Sequence, residues 1–127
     1  MDNLYEIHDL TKAYVGDAVY SMYVRKHIVK SSPRIRANDA HQLGTTFEKA
    51  TSQSKALQAL EDILTDEEKE IVRRAKNKKS NTKAKSATSK EYQEATGLEA
   101  LVGVLYLNEK YDRLDALFEI IVRGEYL

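Results

Sequence analysis

Between Leu10 and about Val29 the apolar residues Ala13, Tyr14, Val15, Ala18, Val19, Met22, Tyr23, Val24 and Ile28 leave only a narrow polar strip. A helix apolar on nearly every side is stable only when other elements cover most of it. The chain is therefore expected to wrap further helices around a largely buried one. Ser31, Ser32 and Pro33 end that helix, because proline lacks an amide donor and pushes the residue before it out of helical geometry.

The remaining pattern is helical as well. Leu43, Phe47, Ala50, Ser54 and Leu57 recur at spacings of three and four, giving one amphipathic face from about Ala37 to Leu64, carried by one long helix or two. Thr65 with Glu68 three residues later is a capping box, which predicts a new helix from Asp66 that turns Ile71 and Val72 inward. Thr88 and Glu91 predict another start, followed by Leu98, Leu101, Val102, Leu105 and Tyr106 and an end near Asn108. A last helix, Tyr111 to Arg123, points Leu114, Leu117, Phe118, Ile121 and Val122 to the core and stops at Gly124. With 5 glycines, 1 proline and 42% hydrophobic residues in 127, the reading is a single all-α domain over residues 1–127. The absence of cysteine removes disulfides and thiolate metal sites. No basic leader precedes an apolar core at Met1, and no apolar run is long enough to span a bilayer, so a cytoplasmic protein without a membrane partner is expected.

Charge balances at 20 basic and 20 acidic residues, yet it is unevenly placed. Arg73, Arg74, Lys76, Lys78, Lys79, Lys83, Lys85 and Lys90 follow one another with no acidic residue among them. From Asn77 to Ser89 there is no large apolar residue, so a flexible basic loop is expected at about 77–89.

Two acids break the pattern around them. Asp17 lies in Tyr14-Val15-Gly16-Asp17-Ala18-Val19-Tyr20, and Glu99 in Gly97-Leu98-Glu99-Ala100-Leu101-Val102-Gly103. An unpaired buried carboxylate costs several kcal/mol or stays protonated, so each calls for a cation, a metal or strong donors beside it. The small residues Gly16, Ala18, Ala100 and Gly103 would let two helices approach closely and bring the acids together. A hard divalent cation such as Mg²⁺ would offset the repulsion of such a pair. The plainer alternative places each acid on a polar strip beside a Lys or Arg.

The run Gly16-Asp17-Ala18-Val19 on an early helix, followed some eighty residues later by Glu99-Ala100-Leu101-Val102-Gly103-Val104-Leu105-Tyr106-Leu107, resembles the two signature segments of the ribonuclease III catalytic domain. The order, separation and apolar context agree. The short chain, with no double-stranded-RNA-binding module expected after the domain, is similar to the Mini-ribonuclease III branch. Tyr23-Val24-Arg25-Lys26-His27, His41 with Gln53 and Lys55, and Arg73-Arg74-Ala75-Lys76-Asn77 extend the likeness over nearly the whole chain. Ala13 and Thr96 stand where full-length ribonuclease III carries two further acids.

The resemblance implies an all-α ribonuclease III endonuclease fold and a symmetric homodimer. It implies hydrolysis of double-stranded RNA with Asp17 and Glu99 as catalytic and metal-binding carboxylates, Mg²⁺ as cofactor and Mn²⁺ as a substitute. In-line attack by a metal-activated water would leave a 5′-phosphate and a 3′-hydroxyl, and the family's task implies bacterial precursor 23S ribosomal RNA as substrate. Arg73, Arg74, Lys76, Lys78, Lys79, Lys83 and Lys85 are the candidate RNA-binding residues, since an RNA duplex is held mainly through phosphates and 2′-hydroxyls. The main rival reading is a module of the same fold that holds structured RNA without cutting it; a helical protein adaptor is a third. His8, His27 and His41 lie in different segments without metal-ligand spacing, and structural or surface roles are expected of them. The tyrosines, not clustered as a stacking platform, are assigned to the core or a subunit interface.

Overall fold

The structure, a computed structural model, describes residues 6–78 and 88–127. Within them the chain forms α1 (Asp9–Ser31), α2 (Ala37–Glu48), α3 (Ala50–Leu60), a 3-10 turn (Glu61–Ile63), α4 (Asp66–Lys76), α5 (Ser89–Leu107) and α6 (Tyr111–Arg123). The all-α reading holds.

The expected starts are built as the sequence requires. Thr65 donates its amide to Glu68 Oε1 (2.9 Å) and accepts the Glu68 amide on Oγ1 (3.1 Å). Thr88 and Glu91 repeat this at α5 with the same two distances. Gly124 ends α6 in the left-handed region at φ 68°, which a residue without Cβ adopts freely. The segment from Ala37 to Leu64 is two helices, because the backbone turns extended at Lys49 (ψ 153°). Within α2 the inward residues are Gly44 and Phe47, with Ala40 half-buried. Phe47, Ser54 and Leu57 are buried and Ala50 half-buried, but Leu43 is exposed, contrary to the single face expected.

The central element is α5 rather than α1. Ten residues of α5 are buried, and α1, α3 and α4 pack along it. Leu98, Leu101 and Val102 meet Tyr20 and Val24 of α1, Leu60 of α3, and Leu114, Leu117, Phe118 and Ile121 of α6 in one core. Tyr20 meets the Phe118 ring edge-on and Tyr23 stacks on it, both with centroids 4.9 Å apart. By contrast α1 buries Ala13, Val19, Tyr23, Val24 and Ile28 but leaves Leu10, Tyr14, Ala18, Met22 and Val29 exposed, Tyr14 at 79%. The expectation of a largely buried α1 is corrected: its apolar residues are shared between the core and an uncovered face.

Two polar links, one buried and one half-buried, tie the layers. Ser54 donates to Glu94 at 2.9 Å, joining α3 to α5. Arg113 of α6 grips Glu68 through Nε (2.8 Å) and Nη2 (2.7 Å) and also donates to the Ile63 carbonyl, so one carboxylate caps α4 and fastens α6.

Candidate functional site

The site begins with two glycines. A Cβ on Gly16 would stand 1.6 Å from the Glu99 carbonyl oxygen, and one on Gly103 would stand 2.1 Å from the Lys12 carbonyl oxygen. The backbones of α1 and α5 are therefore in direct contact beside Asp17 and Glu99. Two of the four small residues expected to allow this do so. Ala100 is buried farther along the seam against Ala13 and Ala75, whereas Ala18 is exposed and takes no part.

This contact brings the acids together. Glu99 is half-buried on α5 and shares a side-chain hydrogen bond with Asp17 of α1. Burial first, then the hydrogen bond to Asp17 and the Asp17 charge, push the Glu99 carboxyl up to about 9; a hydrogen bond to Gln53 opposes them and the Glu48 charge adds to the rise. Without a cation beside it, Glu99 therefore keeps its proton at neutral pH. The two acids differ in setting: Asp17 lies on the exposed side of its helix, so the misfit inferred from its apolar neighbours holds only for Glu99. Two adjacent oxygen donors that must otherwise keep a proton fit a hard divalent cation. Among the described residues no group of three or more His, Cys, Asp or Glu is placed to hold a metal ion. The positions of the two absent acids explain this sparseness: Ala13 fills the alanine seam, and Thr96 donates its hydroxyl to the Tyr92 carbonyl at 3.0 Å.

Three neighbours of the pair carry chemistry that the sequence reading did not assign. Gln53, only 3% exposed, supports Glu99. Its spacing of three and four before the inward-facing Ala56 and Leu57 was the available signal. Glu48 ends α2, and its charge reaches both Glu99 and Tyr20. The fully buried Tyr20 hydroxyl has no hydrogen-bond partner, and burial, with Tyr126, Glu99 and Glu48 nearby, holds its proton firmly.

The expected RNA-binding cations are not equivalent. Arg73 is engaged by Glu70 through Nε (2.8 Å) and Nη2 (2.6 Å). Lys76 is half-buried, with its stem beside Gly97. Arg74 and Lys78 converge on Asp9 at the start of α1. Lys79, Lys83 and Lys85 lie outside the described residues, as does most of the expected loop at 77–89, whose far boundary is Thr88, the cap of α5. Of the histidines, His27 Nδ1 lies 2.8 Å from the Tyr23 carbonyl, and His41 lines a cleft between α1 and α2. The tyrosines divide between the core (Tyr20, Tyr23) and the surface (Tyr14, Tyr111).

A model of the ribonuclease III domain matches residues 11–110, a span that includes both acids and the seam between them. The chain belongs to the ribonuclease III family. Relatives in the family include the Mini-ribonuclease 3 of Staphylococcus aureus, 40% identical over 132 residues and covering 96% of each chain. That of Thermoanaerobacter sp. is 40% identical over 124 residues, 96% of this chain and 85% of the relative. A crystal structure of a Fusobacterium nucleatum protein superposes with a TM-score of 0.85 at 29% identity, over 97% of this chain and 98% of that one. The fold expected from the motif resemblance is the family's fold.

Proposed function

We propose that this ribonuclease III-family endoribonuclease, whose substrate is double-stranded RNA, is a magnesium-dependent homodimer of the cytoplasm that matures precursor 23S ribosomal RNA. The observation that carries the catalytic part is the convergence of Asp17 and Glu99 across the glycine contact, with Glu99 raised to about 9. Asp17 and Glu99 would hold the cation, Mg²⁺ or in its place Mn²⁺, and Gln53 would orient Glu99. Such an ion, when bound, supplies a more acidic water and offsets charge on the phosphoryl group. With only two protein carboxylates, water and phosphate oxygens would complete its coordination. Hydrolysis places the water oxygen on phosphorus and breaks the bond to O3′, leaving a 5′-phosphate and a 3′-hydroxyl.

The uncovered face of α1 supports the dimer. Leu10, Tyr14, Ala18, Met22 and Val29 fall within about one third of the helix circumference, bordering Asp17. A two-fold axis through such a face would bring two Asp17–Glu99 pairs to the two strands of one duplex. No helix among the described residues is long and apolar enough to cross a membrane.

The deciding experiment incubates the protein, Asp17→Asn and Glu99→Gln with an RNA duplex and Mg²⁺. Cutting by the wild type and a loss of about 10³-fold or more in both variants is expected, in line with removal of a group acting in the transition state. Equal cutting by Asp17→Asn would overturn the site, and binding without cutting by the wild type would favour the non-catalytic RNA-holding module. Sedimentation of wild type against Tyr14→Asp tests the dimer face: a monomer is expected from the variant alone.

A further inference from the structure

At the first turn of α1, Asp9 is 5% exposed although it carries a formal charge. Its two oxygens are divided between elements. Oδ1 takes the Lys12 ammonium at 3.2 Å, whereas Oδ2 faces Arg74 Nε at 3.5 Å and Lys78 Nζ at 3.9 Å. Lys12 is buried with it, so this one cation already neutralises the carboxylate. Arg74 and Lys78 are then more than the burial of Asp9 requires, and holding two long side chains on one acceptor costs rotamer entropy. The group keeps an excess of two positive charges. Arg74 and Lys78 stay 51% and 54% exposed, and with His8 and Glu6 they border a cleft of ≈ 430 Å³, in which the two cations outnumber the one exposed carboxylate. The Asp9 carboxylate is underneath, and Arg74 and Lys78 face outward.

We infer that Asp9 is a positioning residue for substrate binding: it gathers Arg74 and Lys78 at the end of α4 into a fixed pair of donors for phosphodiester oxygens of the RNA backbone. Two further features favour an anion there. Lys78, two residues past the end of α4, is turned back against it by its amide, which donates to the Ala75 carbonyl at 3.2 Å, and so stands near Arg74. The amino end of the 23-residue α1 lies beside them, and its N-cap residue His8 supplies no side-chain cap. Because Asp9 and Asp17 are eight residues apart on one helix, the cation pair is held about 12 Å along the axis from the acid pair. The proposal rests on the reading of the substrate as double-stranded RNA.

Asp9→Asn gives a test whose sign is informative, because it removes a negative charge beside the cations. As simple electrostatics, binding would tighten; as loss of positioning, it weakens. Filter binding of a short RNA duplex without divalent ions, over a salt series, is measured for wild type, Asp9→Asn, Arg74→Lys, Arg74→Gln/Lys78→Gln and the triple variant. Asp9→Asn is expected to weaken binding about three- to tenfold, with a salt slope shallower by about one. Arg74→Lys, which keeps the charge, is expected to behave alike. The triple variant should bind as the double one does, because Asp9 acts only through those cations. In cleavage, KM should rise while kcat stays within about twofold. Tighter binding by Asp9→Asn, or losses that add in the triple variant, overturns the proposal. If Asp9→Asn does not fold, as judged by its thermal transition, Arg74→Lys decides: wild-type affinity in that variant also overturns it. If the wild type binds no duplex, the RNA reading itself falls, and the proposal with it.

Discussion

Replacing Gly16 by alanine tests how the fold sets the site. The added Cβ would stand 1.6 Å from the Glu99 carbonyl oxygen and 2.5 Å from its carbon, with the Gly103 nitrogen at 2.9 Å. Ordinary contact begins near 3.4 Å, and every obstacle is helix backbone that no rotamer change can move aside. The helices α1 and α5 must therefore part by about 2 Å. Overpacking a core usually costs ~1–3 kcal/mol, and with rigid obstacles on both sides a loss of ~3–5 kcal/mol is expected. For a domain of this size that is a large share of a total stability of ~5–15 kcal/mol and lowers Tm by roughly 10–20 °C. The same movement carries Asp17 away from Glu99, so cleavage should fall more than the unfolded fraction explains. Urea titration followed by circular dichroism, with duplex cleavage measured well below the transition, reads both effects. Gly103→Ala meets the Lys12 carbonyl oxygen at 2.1 Å and should behave similarly. The double variant should lose clearly less than the sum, because the helices need part only once. A wild-type urea midpoint and wild-type cleavage in Gly16→Ala, or additive losses in the double variant, would refute the backbone contact as the determinant of the acid pair.

Three further outcomes are expected. Glu99 binds its proton more tightly in the folded protein, at about 9, than a free glutamate near 4.3. Without divalent ions, stability should therefore decline as pH rises from about 4 towards 9, by at most ~1.4 kcal/mol per unit, and Glu99→Gln should flatten the decline in thermal melts with a chelator. The Glu68 carboxyl is buried, which alone would raise it, but Arg113 and the Thr65 amide hold it below the usual range. Its contribution is present above the ordinary glutamate range and lost as pH falls through its lowered value. Arg113→Met should thus cost ~1–3 kcal/mol at pH 7, and the gap to wild type should narrow in acid; a constant gap would exclude the ion pair as its source. Gln53→Leu keeps the volume near Glu99 but removes its hydrogen bond. Divalent-ion affinity by calorimetry should drop about tenfold or more, as for other supports of ligand side chains, and unchanged affinity would remove Gln53 from the site.

The helices were legible where local chemistry decides them. Both capping boxes, Pro33 after α1 and Gly124 after α6 act through neighbouring backbone groups, and a sequence displays those relations directly. The pairing of Asp17 with Glu99 was legible through their motifs and through the glycines beside them. What composition and spacing could not convey is which apolar face is covered. Tyr14 and Met22 fit the core pattern of α1 as well as Val19 and Tyr23 do, and only the position of α5 separates them. Leu43 was misplaced because α2 turns Gly44 and Phe47 inward, with Ala40 half-buried, and only tertiary packing chooses between neighbouring positions on that helix. Glu48 and Tyr20 come to Glu99 through tertiary packing alone, so no local signal marked them. For the same reason, Asp9 looked like an ordinary acid in a first turn until α4 brought Arg74 and Lys78 to it.

The continuity of α1 has a mechanical meaning. It runs unbroken for 23 residues, about 35 Å, with Asp9 at one end, Asp17 a third of the way along and an uncovered apolar stripe over its length. These features sit on a stiff rod clamped to the core at Gly16, where no side chain cushions the joint. A ligand touching one end cannot bend the rod to suit its other contacts; it must match their spacing on arrival. Selectivity in such a molecule would come from stiffness, with ill-fitting partners turned away for lack of give rather than for lack of attraction.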